Sequence, residues 1–114
     1  MVSSKSLVKL AVEAAEAKKA QDITVLEVRK ASKIVDHLVI CTGESTPHLR
    51  AIVEEIEEQL GKKRIKRSKW EGVVKSGWII LDLGDVVVHV MGQEEREYYK
   101  LEDLWQKNAI VYHY

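Results

Sequence analysis

The chain reads as α/β: a single small domain over residues 1–114, a mixed sheet of about five strands with helices mainly on one face. Three observations predict this. At 13.0 kDa, with 46% hydrophobic and 32% charged residues, the chain suits one compact core and leaves no room for a second. Two long segments carry apolar residues at helical spacing, while several short ones are rich in Val and Ile. Their order, helix, strand, strand, helix, strand, strand, strand, helix, is that of a sheet with helices packed mostly against one side.

From Ser4 to about Lys19, residues Leu7, Leu10, Ala11, Ala14 and Ala15 fall on one side of a helix, with Ser3 or Ser4 available as its cap. DITVLEV (Asp22 to Val28) and DHLVICT (Asp36 to Thr42) are short, β-branched and bounded by polar residues. They predict two strands joined by the connector around Ala31 to Val35. GESTPHLRAIVEEIEEQLGKK carries the clearest helix. Thr46 is placed as its cap, Pro47 at the first position, Leu49, Ile52, Val53, Ile56 and Leu60 on one stripe, and Gly61 at the stop. In KKRIKRSK, the cations Lys62, Lys63, Arg64, Lys66, Arg67 and Lys69 predict a loop running into a short edge strand around Arg64 to Ser68. Cations at a sheet edge discourage unwanted strand pairing, and a phosphate-contacting patch is the alternative. GWIILDL and VVVHVMG follow as strands turned by Gly84-Asp85. EEREYYKLEDLW predicts one or two turns of helix from Glu94 to about Trp105, and NAIVYHY a short extended or loose tail.

With the turn at Gly84-Asp85, Leu83 pairs with Val86, Leu81 with Val88 and Ile79 with Val90, giving one purely aliphatic, core-facing side. The other side sets Trp78, Ile80 and Asp82 opposite Met91, His89 and Val87. Aromatic and Met anchors among few charges are the composition of a protein contact surface. Cover by the C-terminal helix is the competing reading.

Catalytic readings are weaker. His89 lies four residues past Asp85, roughly 13 Å along a strand, beyond the reach of general acid–base partners. Asp82 and His89 meet only diagonally, and two ligands without a third hold no ion firmly. Cys41 and His37 share a strand face but are again roughly 13 Å apart, too far for a thiolate and its base, so Cys41 is placed in the core. The TGEST turn before a helix offers free amides to a phosphate, yet it has one glycine and puts Glu44 where the anion would sit. A capped helix start is the favoured reading. No catalytic residue, metal or cofactor is predicted.

Eighteen basic residues balance eighteen acidic ones, so no global field draws the chain to nucleic acid or an anionic membrane. A single cysteine makes no internal disulfide, which suits a reducing compartment. Lys5, Lys9 and Glu13 interrupt the N-terminal apolar residues, and no apolar run approaches membrane-spanning length; the expectation is a soluble, cytoplasmic protein.

AEAKKAQDITVLEVRKASKIVDHLVICTGESTPHLRAIVEEIEEQL, then GWIILDLGDVVVHVM and EEREYYKLEDLW, resemble the ribosomal silencing factor family, also called Iojap or YbeB, from about Leu7 to Trp105. The motif positions that match are Trp78, Asp82, Gly84, Asp85, His89, Arg96, Tyr98, Tyr99, Leu101, Glu102 and Trp105. The chain departs from the usual pattern at Met91 and Gly92, and the stretch after Gly61 is more basic. The resemblance implies a nucleotidyltransferase-like topology without the catalytic residues. It also implies binding to the large ribosomal subunit through its L-fourteen protein, so that the small subunit cannot join and translation is repressed when nutrients fail. Assembly of the large subunit is the alternative role.

Within that frame the expected partner-binding residues are Trp78, Ile80, Asp82, Val87, His89, Met91, Arg96, Tyr98, Tyr99, Glu102 and Trp105. A homodimer through the same face is expected of the free protein, and Lys62 to Lys69 are candidates for a minor contact to ribosomal RNA. The rival enzyme reading needs carboxylates at i, i+2 on one strand face to clamp two metals. Asp82 and Asp85 are i, i+3 across a hairpin corner and point apart.

Overall fold

The computed structural model describes residues 3–29, 32, 34–65, 69–71, 76–105 and 109–114, with backbone alone for 69–71. In chain order the elements are α1 (Ser4–Ala17), β1 (Gln21–Glu27), β2 (His37–Gly43), α2 (Thr46–Lys62), β3 (Lys69–Glu71), β4 (Trp78–Asp82), β5 (Val86–Gly92), α3 (Gln93–Tyr99), α4 (Leu101–Trp105) and β6 (Ile110–His113). The strands form one sheet in the order β3-β4-β5-β2-β1-β6. β2 and β5 are parallel and the remaining pairs antiparallel, so the sheet is mixed, as its sequence predicts.

One face of the sheet carries α1 and α2. Leu7, Leu10, Ala11 and Ala15 from α1 meet Leu49, Ile52, Val53, Ile56 and Leu60 from α2 over Val25, Val39, Cys41, Ile79, Leu81, Val88 and Val90. Full burial of each large aliphatic side chain contributes about 1.5–3 kcal/mol, so this layer supplies most of the fold's stability. The thiol of Cys41, completely buried here, has its pKa pushed up to about 12 by desolvation. A buried neutral thiol is chemically inert.

The opposite face holds a smaller core of Leu26, Val28, Leu38, Ile40 and Met91. Val35, Trp78, Val87, Leu101, Trp105, Ala109 and Val111 pack on it, so α4 and the terminal strand roof part of this side. Strand alternation alone sorts the two layers: Val25, Val39 and Val90 point one way, Leu26, Ile40 and Met91 the other.

Several local details differ from the sequence reading for identifiable reasons. Ser45, not Thr46, caps α2: its hydroxyl accepts from the His48 N–H at 3.2 Å, leaving Thr46 and Pro47 in the first turn. Gly61 does not stop the helix. α2 runs to Lys62, and Arg64 takes the left-handed conformation (φ 56°) while its N–H reaches Gly61 O and that of Ile65 reaches Leu60 O. Ile65 packs on the core, and this contact completes the closing motif that would otherwise favour glycine. β3 is described at 69–71, later than the expected 64–68, of which 66–68 lie outside the described residues. The tail is a sixth strand, with Val111 opposite Leu26 and Tyr112 opposite Val25. The C-terminal helix is two pieces, divided at Lys100 in the left-handed region (φ 46°).

The hairpin register is the one expected: Trp78 opposite Met91, Ile80 opposite His89, Asp82 opposite Val87. Gly84 supplies the positive φ of 96° that the turn demands, and Asp82 Oδ1 accepts from its N–H at 2.9 Å. The carbonyl of Asp85 accepts from the N–H groups of Asp36 and His37, tying the turn to the start of β2.

Candidate partner-binding face

Trp78 lies on the smaller-core side of β4 with its body half-buried. Two hydrogen bonds to the Ser76 hydroxyl hold its backbone. Its indole N–H donates to His89 Nδ1 at 3.0 Å. An indole nitrogen can only donate, so His89 Nδ1 carries no proton and the ring is the neutral Nε2–H tautomer. Burial enforces the same state by pushing the His89 pKa down to about 4.

From Trp78 an aromatic ladder continues onto α3. Tyr99 tilts against the indole with ring centres 4.6 Å apart, and Tyr98 meets Tyr99 edge-on at 4.9 Å. Tyr98 is 80% exposed and Tyr99 49%. Trp78, Ile80, Tyr98 and Tyr99, with Ser76, Glu94 and Glu95, line a cleft of about 590 Å³. Glu95 of α3 lays its carboxylate over Gly77 and Gly92. A Cβ at Gly77 would lie 2.6 Å from the Glu95 carboxyl carbon, and one at Gly92 would overlap Glu95 Oε1. Gly92 thus falls at the start of the terminal helix, as the residue preceding α3.

Not every expected contact residue is on offer. Met91 is completely buried in the smaller core and cannot serve as a surface anchor; it lies farther along β5 than His89, under the descending chain. Arg96 is likewise spent internally. Its Nη1 donates to the Asp22 carbonyl and to Thr42 Oγ1 at 3.0 Å, its Nη2 to Thr24 Oγ1 at 2.9 Å and Glu102 Oε2 at 3.2 Å, and its Nε to Glu102 Oε1 at 3.3 Å. These contacts use all five guanidinium N–H groups. A bulge with Asp22 in the left-handed region (φ 46°) accompanies the break in β1 register and places the Asp22 carbonyl in this net. Arg96 and Glu102 therefore position α3 and α4, and Trp105 packs half-buried on the smaller core.

Ile80, Val87 and His89 remain half-buried, while Asp82 stands exposed at the strand end with one carboxylate oxygen on the turn. Leu104, 75% exposed on α4, was missing from the sequence reading. Only the inward pair Leu101 and Trp105, four apart, shows in the pattern of so short a helix. Ser76 was missed because its role is to hold backbone.

Among the described residues no group of three or more His, Cys, Asp and Glu side chains is placed to hold a metal ion. In the TGEST turn the Glu44 N–H is committed internally, donating to His48 Nδ1 at 2.9 Å. No helix among the described residues is long and apolar enough to cross a membrane.

The Trp78–His89 pair carries a pH dependence with a definite sign. The unfolded imidazole binds a proton near its ordinary pKa of 6.5 while the folded one resists to about 4, so stability falls as pH drops through that interval. His89 alone accounts for about 3 kcal/mol over the full span. Urea unfolding at pH 7 and pH 4.5 should show a clearly smaller loss for His89→Gln, whose amide oxygen can still accept from Trp78; equal losses would remove His89 as the cause.

A small α/β domain that fixes an aromatic ladder by hydrogen bonds and rims it with carboxylates has the surface of a binding module. Comparison with known proteins gives the family. The model described as ribosomal silencing factor during starvation matches residues 2–112, and the chain belongs to that family. It is 41% identical to the ribosomal silencing factor RsfS of Bacillus subtilis over 104 residues, 91% of this chain and 88% of that one. A crystal structure of a Chromobacterium violaceum protein superposes with a TM-score of 0.87 at 32% identity, covering 92% of this chain and 88% of the other. A mouse protein named mitochondrial assembly of ribosomal large subunit protein 1 is 36% identical over 89 residues, 75% of this chain and 39% of its own length.

Proposed function

We propose that the chain acts as a steric block in the cytoplasm: it binds the large ribosomal subunit through the L-fourteen protein and keeps the small subunit from joining, repressing translation under nutrient limitation. The observation that carries this reading is the ladder of Trp78, Tyr99 and Tyr98 beside Ile80, an aromatic surface that the folded chain leaves partly open. Tyr and Trp are enriched where interfaces derive most of their binding energy. Asp82, Glu94, Glu97 and Asp103 stand exposed on the hairpin end and on α3 and α4. Such rim acids suit a basic ribosomal protein and chiefly set association rate and orientation.

Stable binding needs a total interface of roughly 1,200–2,000 Å² and no chemical step. Val87, His89 and Trp105 contribute at its inner edge, while Arg96 and Glu102 act by holding α3 and α4 in place. A role in assembling the large subunit is the second reading, favoured by the name of the mouse relative. Free protein is proposed to bury the same aromatic face in a symmetric dimer. Lys62, Lys63, Arg64, Lys66, Arg67 and Lys69 are proposed to add a minor contact to ribosomal RNA; Lys66 and Arg67 lie outside the described residues.

Co-sedimentation with isolated large subunits, before and after adding small subunits, tests the proposal. Stoichiometric pelleting with large subunits and exclusion of small ones is expected, with dimer dissociating as large subunits are added. A weak response to ionic strength is expected of a protein–protein contact. A steep salt collapse would instead make RNA the main partner, and unhindered joining of small subunits would overturn the block.

A further inference from the structure

On the sheet face opposite the aromatic ladder, a second cleft of about 440 Å³ runs between α1 and the β1–β6 edge. Small-molecule sites fall in this size range and are mostly apolar with a few placed polar groups. Val8 and Val12 of α1 and Val25 of β1 line it, all buried against the larger core. Tyr112 and Tyr114 line it too, yet stay 44% and 61% exposed, so two aromatic rings border the opening.

His37 supplies the polar group. It begins β2, lines the same cleft and is 5% exposed, and its Nδ1 is buried with no hydrogen-bond partner among the described residues. Buried polar atoms left without a partner are few in folded proteins and each asks for a reason. Desolvation lowers the His37 pKa, so near pH 7 the ring is neutral and offers one donor and one acceptor.

The charges at the mouth oppose one another. Among the lining groups Lys9 pairs with Glu13 at 4.0 Å and Lys5 faces the same cleft as Glu16, while Glu27, the third acid of the lining, pairs at 3.4 Å with Arg29, which is not part of it. A rim so balanced exerts little net pull on an ion. We infer that this cleft binds an uncharged aromatic molecule bearing a hydroxyl or ring N–H that hydrogen-bonds to the His37 imidazole. The site is separate from the proposed ribosomal face, and its failure would leave that proposal untouched.

Titration of isotope-labelled full chain with 2-naphthol, followed by NMR, tests the inference. Saturable shifts are expected at the methyls of Val8, Val12 and Val25 and at the imidazole nitrogens of His37, complete at about 1 mM or a few times that. His37→Phe keeps an aromatic ring and removes the hydrogen bond; it should weaken binding about tenfold. Tyr112→Ala, at an exposed position that leaves the core intact, should weaken it severalfold and decides the matter should His37→Phe not fold. The anion 2-naphthoate should bind more weakly than naphthol. No saturable shift, shifts centred on Trp78, undiminished binding in the folded variants, or equal binding of naphthoate would each overturn the assignment.

Discussion

Arg96→Met is expected to destabilise the folded chain by about 2–4 kcal/mol, lowering the melting temperature by on the order of 10 °C. Methionine fills the space of the arginine stem but cancels the whole net of five donors. Thr24 and Thr42, each 2% exposed, lose the guanidinium, and Thr24 Oγ1 and the Asp22 carbonyl keep only the 3.3 Å hydrogen bond between them. Glu102, with 29% of its side chain exposed, can return to water, which keeps the cost below that of breaking a fully buried ion pair. Because the same guanidinium ties α3 to β1, β2 and α4, the variant should also loosen the aromatic ladder. Arg96→Lys keeps the charge but not the planar fork, and should recover less than half the loss. Urea unfolding with tryptophan fluorescence reads both effects; a change within about 0.5 kcal/mol would mean that apolar packing alone docks α3.

Trp78→Ala should weaken large-subunit binding at least about 30-fold, equivalent to about 2 kcal/mol, if the ladder is the centre of the contact. The same substitution also costs stability, since Trp78 packs on the smaller core and is the donor to His89 Nδ1. Tyr98→Ala separates the two effects. At 80% exposure Tyr98 contributes little to folding, so stability should stay within about 0.5 kcal/mol while binding falls about tenfold. Wild-type pelleting by folded forms of both variants would remove this face from the ribosomal contact.

Strand alternation made the hairpin legible in advance. A turn at Gly84-Asp85 implies the pairing of Trp78 with Met91 and Ile80 with His89, and the structure has that register. The stripe from Leu49 to Leu60 likewise showed which side of α2 is buried. Helix ends were less legible. Gly61 is the residue type that usually closes a helix, but closure depends on which later residue can pack on the core, and Ile65 shifts it to Arg64.

The candidate face was visible as composition and not as exposure. Met91 and His89 lie two apart on one side of β5, and nothing local makes one a core residue and the other a hydrogen-bond acceptor for Trp78. What separates them is chain that arrives from far away: Leu101 and Trp105 of α4 and Val111 of β6 pack on the smaller core that encloses Met91. Arg96 shows the same limit. In the sequence it is one cation among the carboxylates of α3, a natural rim contact. Its actual partners, Asp22, Thr24 and Thr42, stand 74, 72 and 54 residues away.

The sequence by itself determined the fold class, the family, the hairpin register and the aliphatic layer against α1 and α2, because these follow from periodicities of two and 3.6 residues and from motifs contiguous in the chain. Only the tertiary structure decided how much of the other sheet face stays open, and that the Arg96 guanidinium bonds to Asp22, Thr24, Thr42 and Glu102 within the fold. Exposure and hydrogen-bond saturation are sums over neighbours brought together by folding, and no local pattern encodes them.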